Sequence, residues 1–202
     1  MDGGPVFRTM REQIADRIRG DVLSGRLEKG SSLREVLLAE RYGVSRAPVR
    51  DALLQLTQEG LLVAKPNCGV SVGESANENL QPLVVKLRRE IESMALKLAF
   101  DRFSEADFDA LDASVAKLFE ACTKRDLAKV VEYDMAFHRY IVNAADDTEL
   151  VALWLPIVSR MLLHYSRHKN ILESHAEHAE IAKAIRSKDL KQATKALINN
   201  IQ

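Results

Sequence analysis

Cysteine is nearly missing from this chain: Cys68 and Cys122 are its two, and they share no metal-ligand spacing. A lone disulfide is an unusual stabiliser for 202 residues, so both read as free thiols. With 5 Pro and 9 Gly there is no collagen-like or low-complexity character, and 47% hydrophobic with 29% charged residues excludes a disordered chain. No stretch approaches the roughly 20 uninterrupted apolar residues of a membrane span. The first 20 residues also lack the apolar core of a secretory signal. No membrane partner is therefore expected, and the location expected is cytoplasmic.

An excess of either charge is missing as well, since 29 Lys and Arg balance 29 Asp and Glu. Residues 1–73 hold 11 basic against 9 acidic residues, and the remainder 18 against 20, so the two parts carry +2 and −2. A nucleic-acid module needs only a local basic face, so where the arginines cluster matters more than the sum.

What is present is helical patterning with a break near residue 73. Ile14, Ile18 and Val22 at four-residue steps predict a helix over about 7–24. Ser32 with Glu35 predicts a capping box that starts a second helix near Leu33, ending at Gly43. Ser45 as N-cap and Pro48 in the first turn predict a third helix to about Glu59. The runs at 61–64 and 70–72, around the turn Lys65-Pro-Asn-Cys-Gly69, read as a hairpin. Three helices and a hairpin make a winged helix-turn-helix over 1–73. A linker is expected at 74–79 and an all-α domain over 80–202. That domain's six helices are expected at about 80–101, 105–122, 126–145, 147–168, 173–187 and 189–200, with Pro156 kinking the fourth. The fold class is mainly α.

In a helix-turn-helix the second helix enters the major groove with its N-terminal residues against base edges. Those residues here are Ser45, Arg46, Ala47 and Arg50, with Arg34 nearby. Arg46 and Arg50 are four apart and share a face, and an arginine fork suits guanine O6/N7 or a phosphate. An isolated arginine pair is usually only solvated charge; the turn signal, the capping Ser and the Pro beside it favour recognition.

The run Leu33-Arg-Glu-Val-Leu-Leu-Ala-Glu-Arg-Tyr-Gly-Val-Ser-Arg-Ala-Pro-Val-Arg-Asp-Ala-Leu-Leu-Gln-Leu-Thr-Gln-Glu-Gly-Leu-Leu62 resembles the signature of GntR-type bacterial regulators, and Ile18 to Gly30 resembles that family's first helix and loop. The resemblance implies double-stranded operator DNA as partner, contacts from Arg34, Arg46 and Arg50, and a wing tip shaped by Gly69. Cys68 stands where the family commonly carries a basic wing residue. The implied regulator, a repressor in most relatives, binds as a homodimer on two half-sites.

Asp134 and His138, at i and i+4, share one helical face and can reach one ion; a hydrogen-bonded pair is the alternative. His178, heading a later helix pattern, offers a second half-site. That later pattern resembles the FCD ligand-binding domain of the FadR-like GntR branch, in its six-helix, VanR-like form. The resemblance implies one divalent metal ion (Zn, Ni or Mn) on Asp134, His138, His178 and a fourth position, here Asn200 in place of histidine. An amide oxygen is a poorer zinc ligand than imidazole. The resemblance also places Arg88 in an effector pocket, where its fork suits a small carboxylate. A surface ion pair with Glu92 is the competing reading. His164, His168 and His175 read as solvated residues and Trp154 as core. A metal-dependent hydrolase built on Asp134, His138 and His178 lacks an identifiable general base and leaves the N-terminal motif unused, so no enzyme is expected. A protein-interaction module on a degenerate winged helix is disfavoured by the retained arginines.

Overall fold

The computed structural model describes residues 9–66, 69–74, 78–163 and 171–202. Helix α1 (Met10–Leu23) starts where Thr9 closes a capping box: the Thr9 hydroxyl accepts from the Glu12 N–H, and the Glu12 carboxylate accepts the Thr9 N–H at 2.8 Å. The expected start at Phe7 lies outside the described residues. Ile14, Ile18 and Val22 form the buried stripe the spacing predicts.

The second helix departs from expectation. Ser32 and Leu33 are not its cap and first residue but a short strand, β1 (Ser32–Leu33), paired antiparallel with β3 (Gly69–Val72). Pairing takes Ser32 into the sheet and turns Leu33 into the core at 7% exposure. Helix α2 (Glu35–Tyr42) then starts from an extended Arg34 with no side-chain cap, so Glu35 is freed from the predicted capping box. Gly43 ends it in the left-handed conformation, φ 67°, which an L side chain adopts only at a cost. Helix α3 (Arg46–Gln58) follows from Ser45, whose hydroxyl makes no capping bond. Strand β2 (Leu62–Lys65) completes a three-stranded sheet of order β1-β3-β2, with Lys65 opposite Gly69 at the hairpin end. Asn67 and Cys68 lie outside the described residues.

The rest is helical: α4 (Gln81–Ala99), α5 (Glu105–Thr123), α6 (Leu127–Ala144), α7 (Thr148–Leu163), α8 (Ile171–Arg186) and α9 (Leu190–Asn200). Leu96, Phe108, Leu111, Phe137, Ile181 and Leu197 interlock in its main core. Helix α7 carries Pro156 within it, and its expected run to 168 passes beyond the described residues. Turns are tight: Arg125, Asp146 and Lys188 take φ of 53–56° where α5, α6 and α8 end, a role usually given to glycine. Among the described residues no helix is long and apolar enough to cross a membrane. The chain is mainly α, a winged helix-turn-helix joined to a six-helix bundle.

The two units touch. Arg139 of α6 reaches Asp16 of α1 at 3.1 Å, and Ser159 of α7 donates to Glu59 at 3.2 Å. Glu59 also takes a fork from Arg19 at 2.6–3.2 Å, so a buried polar knot joins α1, the end of α3 and α7.

Candidate functional site

Arg34, Ser45, Arg46, Ala47, Arg50 and Gly69 are all exposed, and the α3 members stand at its N-terminal end and first turn. Glu35, on α2, gathers two of these arginines, Arg46 and Arg50. Arg50 donates to it in a fork at 2.9 and 3.0 Å, and Arg46 donates at 3.1 Å. The hydrogen bond from Arg50 is the largest influence on the Glu35 carboxyl, and with Arg46 it holds that group below its usual range. The capping box that the sequence predicts for Glu35 does not form, and its carboxylate meets the arginines.

A second cluster lies in the bundle core. Asp134 and His138 come from α6, His178 from α8 and Asn200 from the last turn of α9, and all are at most 1% exposed. His138 Nδ1 stands 2.6 Å from Glu92 Oε2, and His178 Nδ1 stands 2.6 Å from the Ser174 carbonyl. The Glu92 carboxylate and the Ser174 carbonyl each stand against Nδ1, which turns Nε2 of both rings toward the centre of the cluster. Asp134 Oδ1 lies 3.6 Å from His138 Nε2 and 3.8 Å from His178 Nε2, and Asn200 Oδ1 lies 2.9 Å from His138 Nε2. Donors that share one ion at about 2.0–2.2 Å stand roughly 3–3.6 Å apart. Two imidazoles, a carboxylate and an amide oxygen at these separations fit a divalent cation, and the amide leans the set toward harder ions than a three-histidine site.

Glu92 organises the surroundings. Its Oε1 accepts from Arg88 Nε at 2.6 Å and from Trp154 Nε1 at 2.7 Å, while Oε2 faces His138. Burial pushes the Glu92 carboxyl upward, but the nearby Arg88 guanidinium and the His138 imidazole outweigh it and hold the group at about 2. Arg88 does form the i,i+4 pair, yet inside the core at 5% exposure and not on the surface. Its Nη2 is buried with no hydrogen-bond partner among the described residues.

Glu92 and the polar role of Trp154 were missed from sequence. The available signal was a carboxylate four residues after Arg88 on the buried face of α4; read as surface, it suggested nothing. Trp154 is core at 1% exposure, but it also carries a hydrogen bond into the site. His175 packs its ring against Phe119 with centroids 4.8 Å apart, away from the cluster. His164 and His168 lie outside the described residues. Cys122 is a free, buried thiol that donates to the Ile171 carbonyl at 3.3 Å, and burial raises it.

A winged helix-turn-helix carried by an all-helical bundle with a buried polar cluster is the architecture of a class, DNA-binding transcriptional regulators. The chain belongs to the bacterial regulatory proteins of the gntR family, whose model matches residues 10–72, with an FCD domain matched over residues 84–202. It is similar to a probable D-xylose utilization operon transcriptional repressor of Paenarthrobacter nicotinovorans, 28% identical over 96% of this chain and 86% of that protein. The gluconate operon transcriptional repressor of Bacillus licheniformis is 26% identical over 93% of this chain and 80% of its own length. Among solved structures, Escherichia coli McbR/YncC has the same fold with a TM-score of 0.80 at 24% identity, over 97% of this chain and 95% of that one. A putative GntR regulator from Rhodococcus sp. RHA1 follows at 0.71 and 20% identity, covering 95% of this chain and 93% of that one.

Proposed function

We propose that this chain is a ligand-responsive repressor of the cytoplasm that binds a specific double-stranded operator as a homodimer and is governed by a small carboxylate in its bundle. Arg46, Arg50, Ser45 and Ala47 meet the major groove, Arg34 stands beside them, and Gly69 forms the wing tip. Asp134, His138, His178 and Asn200 hold one divalent ion, of which Zn, Ni and Mn suit the imidazole-rich set. Such an ion would supply positive charge to an anionic oxygen ligand.

The observation that carries the carboxylate reading is the buried Nη2 of Arg88, which has no hydrogen-bond partner among the described residues. An orphaned guanidinium donor in a dry site costs free energy until an anion accepts its bond. Gluconate, for which one similar repressor is named, is itself a hydroxycarboxylate. Dimerisation is supported by Leu83, Leu87, Met94 and Leu98, which form an exposed apolar stripe along α4. The effector acts by linkage: a carboxylate that prefers one dimer geometry shifts DNA affinity by its differential binding, typically about 1–3 kcal/mol.

The test is a thermal-shift screen of small hydroxycarboxylates against the ion-loaded chain and Arg88→Gln. Stabilisation of the parent that Arg88→Gln loses, while it still binds DNA, is expected. Equal stabilisation of both refutes the Arg88 role.

A further inference from the structure

We propose that the cleft between the winged unit and the bundle is a second small-molecule site, and that it takes an amphipathic organic anion. The cleft is a cavity of about 410 Å³, walled on one side by α1 and the end of α2 and on the other by α6 and α7. That volume falls within the roughly 300–1,000 Å³ of small-molecule sites. Neither Arg88 nor any of Asp134, His138, His178 and Asn200 lines it, so it is distinct from the buried cluster.

Its chemistry is divided. Val131, Met135, Leu155 and Val158 give an apolar floor, and five arginines against three carboxylates surround it. Arg19 and Arg139 are satisfied in place by Glu59 and Asp16. The other three arginines are exposed. Arg26 and Arg41 share one carboxylate, Asp21, at 2.6 and 3.2 Å, which leaves one positive charge over. Arg17 adds another: among the described residues its Nη1 meets a backbone carbonyl, that of Tyr42, at 3.4 Å. Glu132, exposed on the α6 side, offsets part of this, and the lining keeps a net positive charge. An apolar body on the floor with an acidic group toward Arg17, Arg26 and Arg41 matches that division.

Gly20 points the same way. It sits inside α1, where alanine is the better helix former, and it lines the cleft. A Cβ built on it meets no atom within 4 Å, so protein packing gives no reason for a bare backbone there. A ligand lying against α1 does. Trp154 links this site to the other: it is among the residues that line the cleft, and its Nε1 donates to Glu92, which meets His138. An occupant of the cleft bridges α1 to α6 and α7, and so biases how the winged unit sits on the bundle.

The experiment titrates the full chain with 8-anilinonaphthalene-1-sulfonate and follows the indole 15N–1H resonance of Trp154, the chain's single tryptophan. A saturable shift at one probe per chain is expected, at least tenfold weaker in Gly20→Leu, which fills the cavity, and in Arg17→Glu. Lys117→Glu, the same charge change on exposed α5, should bind like the parent. The uncharged N-phenyl-1-naphthylamine should bind at least tenfold more weakly than the sulfonate. Circular dichroism establishes that each variant is folded, and Arg17→Glu, exposed and outside the core, decides the matter if Gly20→Leu is not. An indole resonance that does not move, or an affinity unchanged in Arg17→Glu, overturns the proposal.

Discussion

The exposed start of α3 and the bundle core both hold arginine–carboxylate pairs, but solvent decides what each pair does. Arg46 and Arg50 meet Glu35 at 2.9–3.1 Å with their side chains 60% and 64% exposed. Exposed pairs of this kind contribute little to stability, so both arginines can leave Glu35 for a guanine edge or a phosphate at small cost. Arg88 and Glu92 meet at 2.6 Å with side chains 6% and 0% exposed. Removing one partner of such a pair strands the other in a dry interior. One arrangement keeps arginines aligned yet exchangeable; the other is a fixed frame that aims His138 and leaves one Arg88 donor to spare.

The sharpest way to break that contrast is Glu92→Ala. It deprives Arg88, His138 and Trp154 of a shared acceptor, and a loss of about 3–5 kcal/mol in urea unfolding is expected; a loss near zero would show that the frame is not fixed. Next in size is the ion. Zn²⁺, Ni²⁺ or Mn²⁺ at a hundred times its dissociation constant should stabilise chelator-stripped protein by about 2.7 kcal/mol. His178→Ala should abolish the gain while the chain remains a dimer by light scattering. A smaller effect, on DNA and not on folding, is expected at the other region. Arg46→Ala should weaken operator binding by about 1–3 kcal/mol and relax one base preference in fluorescence anisotropy, with the melting temperature unchanged. The smallest concerns Ser45. An N-cap serine typically contributes about 1 kcal/mol, but this hydroxyl makes no capping bond. Ser45→Ala should therefore alter stability by less than about 0.5 kcal/mol, and any loss it causes should appear in DNA binding.

These regions also differed in how far the sequence revealed them. Gly43, Ser45 and Pro48 announce the turn and the start of α3 through backbone demands that act within a few residues, so the place of that helix was legible. Ser32 misled because its partner, Ser71, lies far along the chain, and sheet pairing overrode a sound local capping signal. In the bundle, Asp134 and His138 were legible as one helix face. His178 and Asn200 needed the family resemblance, since nothing local ties α8 or α9 to α6. Glu92 was legible only as the i,i+4 partner of Arg88 and not as a buried group: whether a carboxylate on an amphipathic helix faces water or core depends on its partners, and Trp154 stands 62 positions away. The Arg19–Glu59–Ser159 knot between the units was invisible for the same reason.

The central claim, that this chain reads a specific operator through the exposed start of α3, is tested most directly by a mobility shift on DNA upstream of its own coding sequence. Excess genomic competitor and a salt series should accompany it. The account predicts a complex that survives competition and is lost in the Arg46→Ala, Arg50→Ala double variant. A complex that competitor abolishes, with the double variant binding like the parent, would contradict it.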